Sequence, residues 1–178
     1  MRRGALTVLV AVAALTAAGC TEVTGQATGP KGYETPTALC DVAIDPVLLK
    51  PLLIPGEEVA VARANAASGG TGCAVSVDGR QVLALENTAG PPALDYRATW
   101  KWQMPHGTAV GIGDEGRGTD TLVSAARKCA VGGQKVVFVS RAERFSTQGG
   151  DAAARKEALT RFMAAYFPAA QKVAACTV

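Results

Sequence analysis

The pattern of hydrophobic and polar residues predicts an antiparallel sheet and two helices. Its most regular part is residues 94–104, where apolar or aromatic side chains alternate with polar ones at every position. Strict alternation is typical of a strand with one buried and one solvent-facing side. We therefore predict a strand here, on which Trp100 and Trp102 share one face with Leu94, Ala98 and Met104.

Further segments predict shorter strands, several of them joined by tight turns. Asp78-Gly79 and Gly132-Gly133 are typical of two-residue hairpins, because a type I′ turn needs positive φ at both central residues. Residues 58–64 favour a strand, although their pattern is also compatible with a helix. The other segments are residues 72–77, 81–87, 108–112, 121–130 and 135–140.

Two helices complete the pattern. Asp45-Pro46 is a typical helix start, and Pro51 limits that helix to a few residues. Asp151 opens a long final helix, which we expect Pro168 to kink or break before Cys176. Its apolar stripe is formed by Ala158, Leu159, Phe162, Met163 and Tyr166. The predicted fold class is α+β: an antiparallel sheet of about five to six strands, with the short N-terminal and the long C-terminal helix packed on one face.

The first nineteen residues have the composition of a signal peptide. Met1-Arg2-Arg3 is basic, and residues 4–19 contain no charge. This apolar run is shorter than the roughly 20 residues that a transmembrane helix needs, and it ends in small residues. We expect removal after residue 19 through general secretion, because the tandem arginines lack the rest of a twin-arginine signal.

Ala17-Ala18-Gly19-Cys20 resembles the lipobox of bacterial lipoproteins, although that family prefers Leu where Ala17 stands. The resemblance implies a diacylglycerol thioether on the Cys20 sulfur and cleavage just before it, with further acylation such as palmitate. Two or three acyl chains hold a protein stably on a membrane. The implied location is therefore the extracytoplasmic face of the cell membrane.

Residues 20–36 are polar, contain Gly and Pro, and predict a flexible linker. A single domain is then expected over residues 37–178. The full chain of 178 residues carries 18 basic and 15 acidic residues. Without Arg2 and Arg3, which belong to the leader, 16 basic residues remain against 15 acidic ones, so no nucleic-acid partner is expected.

Four cysteines remain besides Cys20, an even number in an exported chain. They allow three pairings, of which we favour Cys40–Cys73 and Cys129–Cys176, because these join neighbours along the chain. A four-cysteine metal site is the alternative. The sequence contains no C-x-x-C pair, so we expect neither a metal nor another cofactor.

Together these features resemble an actinobacterial family of exported lipoproteins catalogued as a domain of unknown function. The resemblance rests on Cys20, the linker, Cys40-Asp41 before a short helix, Cys73 at a strand start, and a turn at Gly111-Ile112-Gly113-Asp114-Glu115. Ala74-Val75 stands where the family has an aromatic residue, and the pair Cys129 and Cys176 lies outside the family's pattern. The resemblance implies a fold and a location, and no reaction.

The remaining motifs favour structural roles. The sequence 111–116 fits G-x-G-x-x-G, but a loop and not a helix is expected after it, and two carboxylates would repel a phosphate. Asp114, Glu115 and Asp120 lack the spacing of a calcium loop. His106, the only histidine, is expected in an exposed turn, and no G-x-S-x-G or S-x-x-K motif occurs. Glu57-Glu58 and Asp114-Glu115 are adjacent acidic pairs that point apart in regular structure.

Trp100 and Trp102 are the candidate ligand or partner surface. On one strand face they could stack on sugar rings, whereas the alternative is a core face beneath a helix. We expect a non-catalytic, membrane-anchored module that binds a protein, a glycan or a small apolar ligand. The alternative function is a small cell-envelope hydrolase that uses carboxylates.

Overall fold

The computed structural model describes residues 32–66 and 69–178. The predicted leader, Cys20 and most of the predicted linker lie outside these residues. Within them, none of the helices combines the length and the hydropathy needed to cross a bilayer.

The described residues form a seven-stranded antiparallel sheet and a separate two-stranded one. The strands are β1 Ala38–Leu39, β2 Val42–Ala43, β3 Val59–Asn65, β4 Thr71–Val77, β5 Arg80–Gly90, β6 Thr108–Ala109, β7 Glu115–Gly118, β8 Leu122–Val131 and β9 Gln134–Arg144. In the large sheet the strand order is β3-β4-β5-β9-β8-β7-β6, and the small sheet pairs β1 with β2.

Both predicted hairpin turns are confirmed. Asp78 and Gly79 join β4 to β5 with φ of 49° and 73°, and Gly132 and Gly133 join β8 to β9 with φ of 58° and 79°. Positive φ at two successive residues is the geometry of a type I′ turn, whose twist matches that of the flanking strands. The predicted strand at residues 58–64 is also confirmed, as β3.

The main core lies on one face of the sheet, under helix α3, Ala152–Val173. Helix α1, Pro46–Leu49, and the 3-10 helix Lys50–Leu52 bury Leu49 and Leu52 in the same core. The Asp45 side chain accepts a hydrogen bond from the Val47 backbone N–H (2.8 Å), which starts α1 as predicted. The predicted class, α+β with the short first and long last helix on one face, is confirmed.

The predicted strand at residues 94–104 is wrong, because helix α2, Tyr96–Gln103, stands there. The Asp95 carboxylate caps it by accepting a hydrogen bond from the Ala98 N–H (2.9 Å). Tyr96, Trp100 and Met104 are spaced by four residues, which places them on one face of a helix as well as of a strand. They contact β8 and β9 residues on the sheet face opposite α3.

Two further predictions, for residues that follow α2 in the sequence, differ from the structure. Residues 108–112 form only the two-residue strand β6. The loop expected after residue 116 is instead strand β7, which pairs Arg117 with Ser124 of β8. The sheet therefore reaches seven strands among the described residues, more than the expected five to six.

Of the two predicted effects of Pro168, a kink or a break, the break is wrong, since α3 continues to Val173. Pro168 is exposed, and so is Ala164, whose carbonyl loses its intrahelical partner. A carbonyl that faces water is solvated at little cost. The buried residues Phe167 and Ala170 on either side of the proline hold the last turns against the core.

Two disulfides attach the chain ends to the sheet. Cys40–Cys73 joins the β1–β2 turn to β4, with 6.0 Å between the Cα atoms. Cys129–Cys176 joins β8 to the segment after α3, with 5.5 Å between the Cα atoms. These are the pairings favoured from the sequence. Thr177 also forms a β-bridge with Ala130, so two backbone hydrogen bonds between these residues (2.8 and 2.9 Å) hold the tail.

The last residues of the predicted linker lie against the fold. The Gly32 N–H donates to the Gly56 carbonyl (2.8 Å), and the Tyr33 hydroxyl donates to the Ile54 carbonyl (2.5 Å). Burial raises the pKa of Tyr33 above its ordinary value of 10.0, and the negative charge of Asp78 raises it further by a smaller amount. The packed part of the chain thus includes residues before position 37.

Candidate functional site

A cavity of about 320 Å³ lies between α2 and the sheet, beside the packed ring of Trp100. Volumes of this size accommodate a small organic molecule. Three strands form its floor and α2 forms its wall. The lining residues are Glu86, Thr88, Leu94, Tyr96, Thr99, Trp100, Gln103, Ser124, Val139 and Arg141.

Trp100 is the fixed wall of this cavity. Its side chain is only 6% exposed, and its indole N–H donates to the Ser124 hydroxyl (2.9 Å). Ser124 in turn donates to the Ser140 carbonyl (3.1 Å). The Tyr96 ring packs against the indole at 4.9 Å between centroids. Because its one donor is satisfied and its partner serine is anchored to β9, the indole presents a rigid apolar surface.

One end of the cavity is charged. Arg141 of β9 forms an ion pair with Glu86 of β5 (3.5 Å between Nη1 and Oε2) and a second, shorter one with Glu143. All three side chains are partly buried. Two carboxylates thus surround one guanidinium, and this end carries one excess negative charge.

The excess charge determines which ligands the cavity suits. An anionic group would approach Glu86 and find both Nη groups of Arg141 already paired with carboxylates, so like-charge repulsion disfavours it. A neutral or cationic group would not meet that penalty. The hydroxyls of Thr88 and Thr99 and the amide of Gln103 add hydrogen-bonding groups around an apolar centre.

Trp102 has a different environment from Trp100. It lies two residues further along α2, is 82% exposed, and is not among the residues that line the cavity. The expected shared face of the two tryptophans is therefore wrong, since residues two apart on a helix point in different directions. Trp100 contributes to the candidate site, and Trp102 faces solvent.

The glycine-rich turn at residues 111–115 is a structural loop beside a second groove. Gly113 has φ of +70°, and a Cβ there would lie 2.5 Å from the Ala126 carbonyl oxygen. The Asp114 N–H donates to that same carbonyl (2.9 Å), which fixes the loop against β8. Strand β7 begins at Glu115, so the loop does not precede a helix and lacks the geometry of a dinucleotide site.

A groove of about 410 Å³ runs beside this loop, on the other side of Trp100. Glu115 and Arg97 form an ion pair across it. Arg117 donates to the Met104 carbonyl (3.1 Å), which ties β7 to the end of α2. The contacts of Arg97 and Arg117 therefore link β7 to both ends of α2.

The acidic residues singled out in the sequence do not converge. Asp114 accepts a hydrogen bond from the Lys128 N–H and pairs with Arg127, while Asp120 pairs with Arg155 (2.5 Å). Glu57 and Glu58 are exposed and lie directly before β3. In the described part of the chain, no three His, Cys, Asp or Glu side chains are placed to hold a metal ion.

His106 lies in an exposed turn between α2 and β6, as expected. It is not among the residues that line either the cavity or the groove. The structure therefore gives His106 no part in either of them.

A second polar network lies behind the cavity, on the α3 side of the sheet. Asn87 of β5 donates to the Tyr166 hydroxyl (2.9 Å) and accepts from the Ser140 hydroxyl (2.7 Å). Burial raises the pKa of Tyr166 above its ordinary value of 10.0, and the hydrogen bond with Asn87 offsets part of that rise. This network fixes the two central strands from which Glu86 and Arg141 extend to the opposite face.

Sequence analysis identified Trp100 but missed Glu86, Arg141, Tyr96 and Ser124. Glu86 is the only acidic residue of β5, but Arg141 is one of several charged residues in β9, so neither is a strong signal of a functional position. Their pairing depends on the register that sets Glu86 opposite Arg141. Sequence alone does not supply that register, because β5 and β9 are far apart along the chain.

Comparison with known proteins gives no relative. No family model matches the chain, and neither the curated proteins nor the solved structures contain a significant match.

Proposed function

We propose that this protein is a lipid-anchored extracytoplasmic binding module, with the cavity beside Trp100 as its ligand site. The leader and Cys20 support the location. The cavity's volume, apolar centre and charged end support the binding role. The ligand class is a small amphipathic molecule with a flat or ring-shaped apolar part and a neutral or cationic polar end.

The observation that carries the proposal is the rigid indole of Trp100 in the cavity wall, held by Ser124 while Tyr96 packs on it. A preformed apolar surface spends little entropy on ordering when a ligand binds. The ion pairs at Arg141 keep the charged end in place in the same way.

A fluorescence titration tests the binding site. In the Trp102→Phe variant, Trp100 is the only tryptophan, because the chain contains two. We expect N-phenyl-1-naphthylamine, a neutral two-ring probe, to quench Trp100 by energy transfer with saturation. Anilinonaphthalene sulfonate, whose rings are similar but which is anionic, should bind at least about tenfold more weakly through like-charge repulsion.

Two neighbouring positions on α2 provide a matched pair of variants. Thr99 lines the cavity, whereas Ala98 is exposed and does not line it. Thr99→Phe should fill the cavity and abolish saturable binding, and Ala98→Phe should leave it unchanged. Equal binding by both variants would show that the probe binds elsewhere and would reject the site.

The location is tested separately. Cys20→Ser should shift the protein from the membrane fraction to the soluble fraction, because serine cannot form the thioether. Wild-type protein should resist extraction with high salt. A variant that still sediments with membranes after a salt wash would contradict the lipid anchor while leaving the cavity proposal intact.

The alternative function, a small hydrolase using carboxylates, rests on Glu86, an acidic side chain in the cavity wall. Its carboxylate forms an ion pair with the Arg141 guanidinium (3.5 Å between Oε2 and Nη1). A hydrolase of this kind should lose turnover in Glu86→Gln, whereas a binding module has no turnover to lose.

A further inference from the structure

Strand β3 forms one end of the seven-stranded sheet, and its outer backbone edge is open. It pairs only with β4, through seven residues in unbroken register. Within residues 32–66 and 69–178, no strand pairs with its other side. The opposite end of the sheet is the two-residue strand β6, which is too short to act as a template. Long open edges recruit further strands, since their N–H and C=O groups lack partners.

β3 also lacks two features that usually block an edge, a proline and a bulge. Its sequence, VAVARAN, contains no proline, and the β3–β4 register shows no bulge. Val59 and Val61 pack against the main core, so Ala60, Ala62 and Ala64 alternate to the opposite face. Those three alanines are exposed and small. Another strand can therefore approach the edge without displacing a side chain.

We propose that β3 pairs antiparallel with β3 of a second copy of this chain, joining the two sheets about a two-fold axis near Ala62. In this register Ala62 faces its own counterpart, and Ala60 faces Ala64 of the other copy. The alanines of both chains then form one flat surface, and on the other face Val59 of each copy lies opposite Asn65 of the other. The outward backbone N–H and C=O groups of the two β3 strands then form hydrogen bonds with one another along the whole strand.

Charge also fits this arrangement. Arg63, the only charged residue of β3, forms an ion pair with Asp41 (2.5 Å). In the proposed register Arg63 faces Val61 of the other copy, and the two Arg63 side chains are diagonal neighbours. Diagonal neighbours lie about 7–8 Å apart across a ladder. The Asp41 carboxylate beside each arginine offsets the repulsion between the two Arg63 guanidinium groups. Two positive and two negative side chains therefore lie near the two-fold axis.

Cysteine cross-linking tests the register. Ala62→Cys should form a disulfide-linked dimer under mild oxidation, because the two thiols meet at the axis. Ala60→Cys and Ala64→Cys should each remain largely monomeric alone and cross-link when mixed. Ala98→Cys, at an exposed position on α2, is the control. Cross-linking of Ala62→Cys no faster than Ala98→Cys would overturn the proposal.

Sedimentation velocity of the Cys20→Ser chain tests association without engineered thiols. The mass should rise toward twice the monomer mass as concentration increases to about 1 mM, the range of a weak interface. Ala62→Lys places like charges opposite each other and should remain monomeric with an unchanged melting temperature. Ala98→Lys should dimerise normally. A strictly monomeric parent chain, or dimerisation unaffected by Ala62→Lys, would reject the interface.

Discussion

Trp100 and Trp102 differ in burial although they are two residues apart on one helix. Trp100→Ala removes a buried indole and leaves the Ser124 hydroxyl without its donor. The expected loss is about 3–5 kcal/mol of unfolding free energy, the usual cost of truncating a buried Trp. Trp102→Ala removes an exposed side chain and should change stability by less than about 0.5 kcal/mol. Urea denaturation of both variants measures the difference, and equal losses would contradict the assigned burial.

Tyr166 gives stability a dependence on alkaline pH. Its pKa is raised in the folded protein, so the folded state keeps the phenol proton after the unfolded chain has released it. The contribution of Tyr166 to the free energy of unfolding is therefore complete below about pH 10, the pKa of tyrosine in the unfolded chain. It is lost as the pH rises through the higher pKa of the folded state.

Difference titration isolates this tyrosine. Absorbance at alkaline pH, wild type minus Tyr166→Phe, should show a midpoint above 10 in native protein. In denaturant the midpoint should return to about 10. A native midpoint at or below the denatured one would mean that the Tyr166 hydroxyl is not buried as described.

At the residue scale, the sequence predicted a tryptophan at the site but not its partners. Trp100 stood out because it is large and rare. Glu86 and Arg141 carry signals only in combination, since each is an ordinary charged residue until the β5–β9 register sets them side by side. A site whose residues are brought together by the pairing of strands far apart in the sequence cannot be predicted from local residue spacing.

At the scale of elements, local signals predicted the hairpins and failed at α2. Asp78-Gly79 and Gly132-Gly133 fix their turns through their own φ preferences, independently of the rest of the fold. Residues 94–104 satisfy both periods at Tyr96, Trp100 and Met104, and the longer alternation suggested a strand. The decisive local signal was Asp95, a residue type preferred at helix starts.

The Cys129–Cys176 bridge attaches the tail after α3. Replacing both cysteines with Ala should lower the unfolding free energy by about 2–4 kcal/mol under oxidising conditions, because the bridge closes a loop across 47 positions. Limited trypsin digestion should then cut after Lys172, in the last turn of α3, while the sheet stays resistant. A double variant as stable as wild type would show that the Ala130–Thr177 bridge alone holds the tail.

Pro168 makes a separate prediction for the same helix. Pro168→Ala restores an N–H to a continuous helix at an exposed position, so it should stabilise the fold. The gain is at most about 3 kcal/mol, the propensity difference in a helix interior. The melting temperature measures it. A decrease would show that the proline shapes α3 for the packing of Phe167 and Ala170.

At the scale of the whole molecule, one face of the sheet packs the main core and the other face carries the cavity. One side carries nearly all of the core, with α3, α1 and both disulfides around it. The other side is covered by α2 only over β8 and β9, and the cavity lies where that cover ends. The site therefore sits on a support stabilised from behind, as binding sites with preformed geometry require.

We expect the stability of the whole fold to depend on the oxidation of Cys40, Cys73, Cys129 and Cys176 to two disulfides. In the chain-entropy model each bridge, spanning 33 and 47 positions, contributes about 4 kcal/mol. Small domains have only about 5–15 kcal/mol in total, so losing both bridges removes most of the stability. Reduction with dithiothreitol should sharply lower the urea midpoint, and mass spectrometry after alkylation should then count four modified cysteines besides Cys20. Native oxidised protein should show none of the four modified. If reduced and oxidised protein unfold at the same midpoint, the core alone suffices, and export to an oxidising compartment is not required for folding.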